Sequence, residues 1–93
     1  MANIKSSKKR IRVSKRNRLQ NLYYKSSVRN LIKLFSNSIL IYKSSQNIED
    51  KIKAQKILNT VFQFLDKGLK RNVFHKNKVS RKKSRLTIQL KKV

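Results

Sequence analysis

The chain has 93 residues, length enough for one small domain, and its 26 Lys and Arg against three Asp and Glu give a formal net charge of +23. So one-sided a charge speaks about partners and not about fold, and it points first to nucleic acid and second to an anionic membrane surface. The absence of Cys excludes a disulfide frame, thiol chemistry and Cys-based zinc sites, and no apolar run approaches the ~20 residues of a membrane-spanning helix.

With no Pro and only Gly68, the chain is short of helix breakers, so long helices and few tight turns are expected. The first element is a basic arm, residues 1–18. It carries Lys5, Lys8, Lys9, Arg10, Arg12, Lys15, Arg16 and Arg18 with no acid, and its apolar residues are sparse. Its opening, MANIKSSKKR, lacks the apolar core of a secretory signal, and no transit segment is expected. Eight like charges on a thin apolar stripe predict an arm that becomes helical only against its partner.

Residues 19–42 continue the same helix. Tyr24, Val28, Leu31, Ile32, Phe35, Ile39 and Tyr42 follow steps of four and three, which set one core face, and Leu34 and Ile41 widen it. The whole helix is expected from about Ser6 to Tyr42, ~55 Å long, with its first half projecting beyond the core. At this spacing the aromatics read as core before stacking platforms for bases.

Residues 43–47 are a polar turn ending on Asn47, the expected N-cap of a second helix over 47–71. Glu49 and Asp50 then lie in its first turn, where the macrodipole favours them, so they read as helix-start chemistry and not as a catalytic pair. Ile57, Leu58, Val61, Phe62, Leu65 and Leu69 form its core face. Because Leu69 keeps the phase, Asn72 and not Gly68 is expected to take the left-handed conformation at the end. An interior Gly68 predicts that Gly68→Ala stabilises the helix.

The third helix is expected over 75–90. Lys76, Lys78, Arg81, Lys82, Lys83 and Arg85 place six cations in ten residues with no acid, while Val79, Leu86, Leu90 and Val93 form one narrow apolar stripe. One side can dock and the remaining surface can meet phosphate, where counterion release turns charge into affinity. Residues 1–30 hold ten cations, 31–66 five and 67–93 eleven, so two basic ends flank an ordinary middle. That distribution predicts two faces gripping separate nucleic-acid segments, and a chain barely folded at low salt.

No catalytic constellation can be assembled. His75 has no acid beside it and reads as a phosphate or sugar contact or as a cap; there is no Gly-rich phosphate loop and no His pair at metal-ligand spacing. No cofactor, metal or small-molecule substrate is expected. A DNA-compacting architectural protein is the alternative reading, but such proteins insert apolar wedges or Arg arms into the minor groove, and no exposed apolar tip is evident here. A membrane-surface peptide needs an apolar face under its cations, and here the most cationic segments are the least apolar.

The opening MANIKSSKKR, then Arg16-Asn-Arg-Leu19, Tyr24-Lys-Ser-Ser-Val28, and above all His75-Lys-Asn77 followed by Ser80-Arg-Lys-Lys-Ser-Arg-Leu86, resemble the bacterial-type small-subunit ribosomal protein S20 family. The resemblance covers both ends and keeps their separation. It implies an all-α fold, a three-helix bundle with a long, basic N-terminal helix extending beyond the core. It also implies direct binding to small-subunit (16S) rRNA, early in assembly, with other small-subunit proteins as neighbours and no membrane or homo-oligomer. Family members carry a Gly where this chain has Asn72, which agrees with a helix end there. The shortage of Ala and abundance of Ile, Asn and Lys resemble the usage of an AT-rich genome, which suits a plastid and a low-GC bacterium alike; the chloroplast stroma is the expected location, with a bacterial cytoplasm as the alternative. The expected rRNA contacts are Lys5, Lys8, Lys9, Arg10, Arg12, Lys15, Arg16 and Arg18 on the first helix, and His75, Lys76, Asn77, Lys78, Arg81, Lys82, Lys83 and Arg85 on the third. Lys25 and Arg29, flanking the core face, are secondary. A-form RNA hides its major groove, so phosphates, 2′-hydroxyls and irregular junctions are the expected targets.

Overall fold

A computed structural model describes residues 2–93, and side chains from residue 4 onward. Met1, the first residue of the arm, lies outside the described residues. Three helices account for the fold: α1 (Ala2–Ser45), α2 (Ile48–Lys70) and α3 (Lys76–Lys91), with no strand among the described residues. The first helix is longer at both ends than its apolar pattern predicts. Helix formers without Pro or Gly continue through the arm, and nothing in residues 2–6 stops propagation. Its 44 residues span ~66 Å at the usual rise, which sets the longest dimension of the molecule, 67 Å. The radius of gyration, 18.1 Å, exceeds the ~12 Å of a compact chain this long, because half of α1 stands clear of everything else.

Both helix ends inside the core are closed by residues in the left-handed conformation. Gln46 has φ +56° and its N–H donates to the Tyr42 carbonyl at 2.8 Å, so α1 ends in a single reversed turn. Asn47 follows at once as the N-cap of α2, its side-chain oxygen accepting from the Glu49 N–H at 3.3 Å. A connection this short makes α1 and α2 an antiparallel hairpin. At the other end of α2, Asn72 has φ +61°. Its N–H donates to the Leu69 carbonyl at 3.1 Å and the Val73 N–H to the Gly68 carbonyl at 2.7 Å, the paired bonds of a Schellman end. The helix therefore ends at Asn72, as its phase predicts.

Gly68 is interior, but its role differs from the expectation. A Cβ built there would lie 2.3 Å from Cδ2 and 2.4 Å from Cε2 of Phe74. The ring folds back onto the bare backbone of α2, and the missing side chain is what admits it. Gly68→Ala is thus expected to destabilise, which reverses the reading from helix propensity.

The core is a single cluster: Val28, Phe35 and Ile39 from α1, Ala54, Leu58, Val61 and Leu65 from α2, and Val79, Leu86 and Leu90 from α3. Tyr24 is buried at its upper end, in edge contact with Phe64. The expected faces of α2 and α3 are the ones that pack. The α1 face is narrower than expected, since Leu34 and Ile41 are 53% and 56% exposed. They lie about 100° or more round the helix from Phe35 and Ile39, and α2 covers only one side. Leu19, too, is exposed, so burial on α1 begins in earnest at Tyr24, and the projecting part runs beyond residue 18. Helix α2 packs along both α1 and α3, while α1 and α3 scarcely touch each other.

Candidate nucleic-acid interface

The splay between α1 and α3 creates the site. Helix α2 holds one on each side, and the two diverge enough to leave a cleft of about 850 Å³ between them. Lys25, Arg29 and Lys33 line it from α1, and Lys78, Arg81 and Lys82 from α3, with His75 and Asn77 at the turn. The spacing explains the α1 wall: residues 25, 29 and 33 are successive members of one i, i+4 row, so three cations stack along one edge of the core face. The α3 wall is fixed by Val79, Leu86 and Leu90, whose burial against α2 turns residues 78, 81 and 82 towards α1 and solvent. The floor is apolar: Val28, Ile32, Leu65, Val73, Phe74 and Val79.

His75 caps α3. Its Nδ1 accepts from the Asn77 N–H at 3.2 Å, which leaves Nε2 as the ring's donor. Of the two roles expected for it, cap or phosphate contact, the cap is present in the structure. Lys76 and Asn77 open the helix, exposed, with no acid in its first turn. With no carboxylate in its first turn, the helix N-terminus adds a positive dipole end to the neighbouring cations.

The arm offers a different geometry. Lys5, Lys8, Lys9, Arg10, Arg12, Lys15, Arg16 and Arg18 are all exposed on the projecting part of α1, so the cations point outward around a convex rod. The cations expected to form two separate faces are therefore regrouped. The arm is one set, and Lys25, Arg29 and Lys33 join α3 in the other.

Lys83 stands apart from its neighbours. Its Nζ donates to Oδ1 of Asp66 at 2.5 Å and lies 5.3 Å from the ring centre of Phe62, so it faces α2 and is part of the packing of α3. This is the one ion pair among the described residues. Arg85 remains exposed. Sequence reasoning missed Lys33, although the 25–29–33 row was visible. It also missed Asp66 as Lys83's partner, which no local pattern announces across 17 residues. Arg71, placed 5.8 Å from the Tyr24 ring centre, ties the α2–α3 turn to α1 and was likewise unmarked.

The arrangement displays cations with geometry suited to anions. No group of His, Asp or Glu able to hold a metal occurs among the described residues, and none of their helices is long and apolar enough to cross a membrane. The described residues form an all-helical scaffold that presents a convex cationic rod and a concave cationic cleft. The family model for ribosomal protein S20 matches residues 2–91. The small ribosomal subunit protein bS20c of Phaeodactylum tricornutum is 58% identical over 91 residues, covering 98% of both chains, and that of Trieres chinensis is 56% identical over the same share. The small ribosomal subunit protein bS20 of Prochlorococcus marinus (strain NATL1A) is 45% identical over all 93 residues and 95% of its own length. The chain belongs to the ribosomal protein S20 family, which is a family of structural ribosomal proteins without enzymatic activity.

Proposed function

We propose that the protein is a structural component of the small ribosomal subunit that binds small-subunit (16S) rRNA directly and stabilises its folding during assembly. The observation that carries the reading is the disposition of charge. Apart from Lys83, every basic residue expected to contact RNA is exposed and has no carboxylate partner among the described residues. Like charges so displayed repel one another until phosphates neutralise them.

The two surfaces divide the work. The arm, from Lys5 to Arg18, lies along RNA backbones as a rod that penetrates between helices. The cleft, with Lys25, Arg29 and Lys33 opposite His75, Asn77, Lys78, Arg81 and Lys82, grips a second segment, and Lys76 adds its charge at the start of α3. Arg85 extends the α3 surface, and Lys83 contributes through its hold on α2. Other small-subunit proteins are neighbours in the assembled particle. The bS20c relatives, at higher identity than the bacterial bS20 of Prochlorococcus marinus, favour the chloroplast stroma as the place where this subunit assembles.

The test is affinity for small-subunit rRNA as a function of salt. Removing residues 1–18 and, separately, neutralising Lys78, Arg81 and Lys82 should each weaken binding without abolishing it. Each should reduce the salt slope by ~0.7–0.9 for every phosphate that the variant no longer neutralises. If wild type binds folded rRNA no better than duplex DNA of equal length at moderate salt, the proposed function is wrong.

A further inference from the structure

The cleft and the arm differ in more than curvature. Along the arm, cations sit on a convex surface, which suits the outside of a duplex. The cleft has cationic rims on two helices and an apolar floor, of which Ile32, Val73 and Phe74 are only half-buried. A duplex backbone offers phosphates and sugars. Laid across the rims, it would satisfy the charges and leave the apolar floor facing its polar surface. An unpaired nucleotide offers both chemistries in one unit: a flat apolar base flanked by two phosphates. The cleft's 850 Å³ lies within the range of small-ligand sites, so it has room for a base.

We infer that the α1–α3 cleft receives an unpaired nucleotide extruded from the RNA, with the base against Phe74, Ile32 and Val73 and its flanking phosphates on the two rims. The inference rests on the RNA-binding reading above and deepens it. Phe74 is the principal surface. Its ring is seated against Gly68, where the absent Cβ lets it lie down on α2, and it also lines the cleft. The sequence of events in binding follows from the ranges of the forces. Long-range attraction to the rims brings the backbone in, and short-range stacking then selects the segment that has a base free to enter. His75 Nε2 and the Asn77 amide, at the mouth, are the groups able to meet polar edges of the base, so preference among the four bases should be slight beside the preference for an unpaired one.

The experiment uses the full chain and three RNA hairpins of one sequence: one with a single-nucleotide bulge, one with an abasic residue in the bulge, and one fully paired. The bulged hairpin should bind roughly tenfold more tightly than either of the others, and the bulged and abasic forms should share one salt slope, since their phosphates are the same. Phe74→Leu and Ile32→Ser, each checked for helical content, should bring the ratio of bulged to paired affinity, measured within each variant, down to about one. Equal affinity for all three hairpins overturns the inference and leaves RNA binding intact. So does a preference that survives in both folded variants, because the base is then held elsewhere. Failure to bind any hairpin at moderate salt overturns the RNA-binding reading as well.

Discussion

Gly68 and Asn72 divide a task that a single residue performs in many helix ends. Asn72 supplies the left-handed turn, while Gly68, four residues earlier, supplies a bare patch of backbone for the Phe74 ring. Gly68→Ala should lower stability by ~1–2 kcal/mol, because overpacking against a seated ring outweighs the gain in helix propensity. Urea unfolding measures it, and adding Phe74→Leu should restore most of the deficit. Asn72→Gly should be neutral or mildly stabilising, while Asn72→Val should cost at least ~1 kcal/mol, since a β-branched residue resists positive φ. Gln46 is under the same constraint without an Asn's tolerance, so Gln46→Gly should stabilise the hairpin by a comparable amount. Lys83 and Asp66 form a partly exposed pair, so Asp66→Asn should cost under ~1 kcal/mol of stability. It should also release Lys83, raising the magnitude of the rRNA salt slope by up to ~0.9.

At the scale of elements, α1 is two objects on one axis. From Tyr24 onward it is a core helix with α2 against it; from residue 4 to residue 23 its side chains are exposed, save a half-buried Gln20. Backbone hydrogen bonds alone hold the projecting part, and isolated helices of such length are marginal in water. Amides of residues 4–19 in the free protein should therefore exchange within minutes at low salt and become protected when rRNA is added, while those of α2 stay slow throughout. Uniformly slow exchange along all of α1 without RNA would show that its helix needs no partner. A deep core change acts differently from any cation change. Phe35→Ala, at the one fully buried aromatic, should cost ~3–5 kcal/mol and weaken RNA binding with little change in salt slope. Phe62, which its periodicity puts in the core, is only half-buried and carries Lys83 on its ring, making it a poorer probe of the core.

For the molecule as a whole, the balance is between a slender core and a charge of +23. Neighbouring unit charges ~10 Å apart repel by ~0.4 kcal/mol in water, and tens of such pairs add to a few kcal/mol, comparable with the net stability of a small domain. Salt screens these repulsions, and the one ion pair among the described residues gives it little attraction to weaken. The thermal midpoint of the free protein should rise by several degrees between low and moderate salt, the shift that ~1 kcal/mol produces in a domain this size. A midpoint that falls with added chloride would mean that attractions, not repulsions, dominate its electrostatics.

The sequence by itself determined what is local. The two breaks, the Asn47 cap, the Asn72 end and the apolar rows of α2 and α3 were legible because each depends on residues within a turn or two of one another. So was the family, through His75-Lys-Asn77 and the basic run after it. Tertiary structure decided what depends on which helices meet. Only the packing of α2 against both partners shows that α1 and α3 splay, that Lys33 shares a cleft with Arg81, and that Lys83 turns inward to Asp66. It also decided the sign at Gly68, since the ring that occupies its space comes from the other side of a turn. Periodicity records which side of a helix is apolar; how wide a stripe is covered, and by what, is set by the angle at which the next helix arrives.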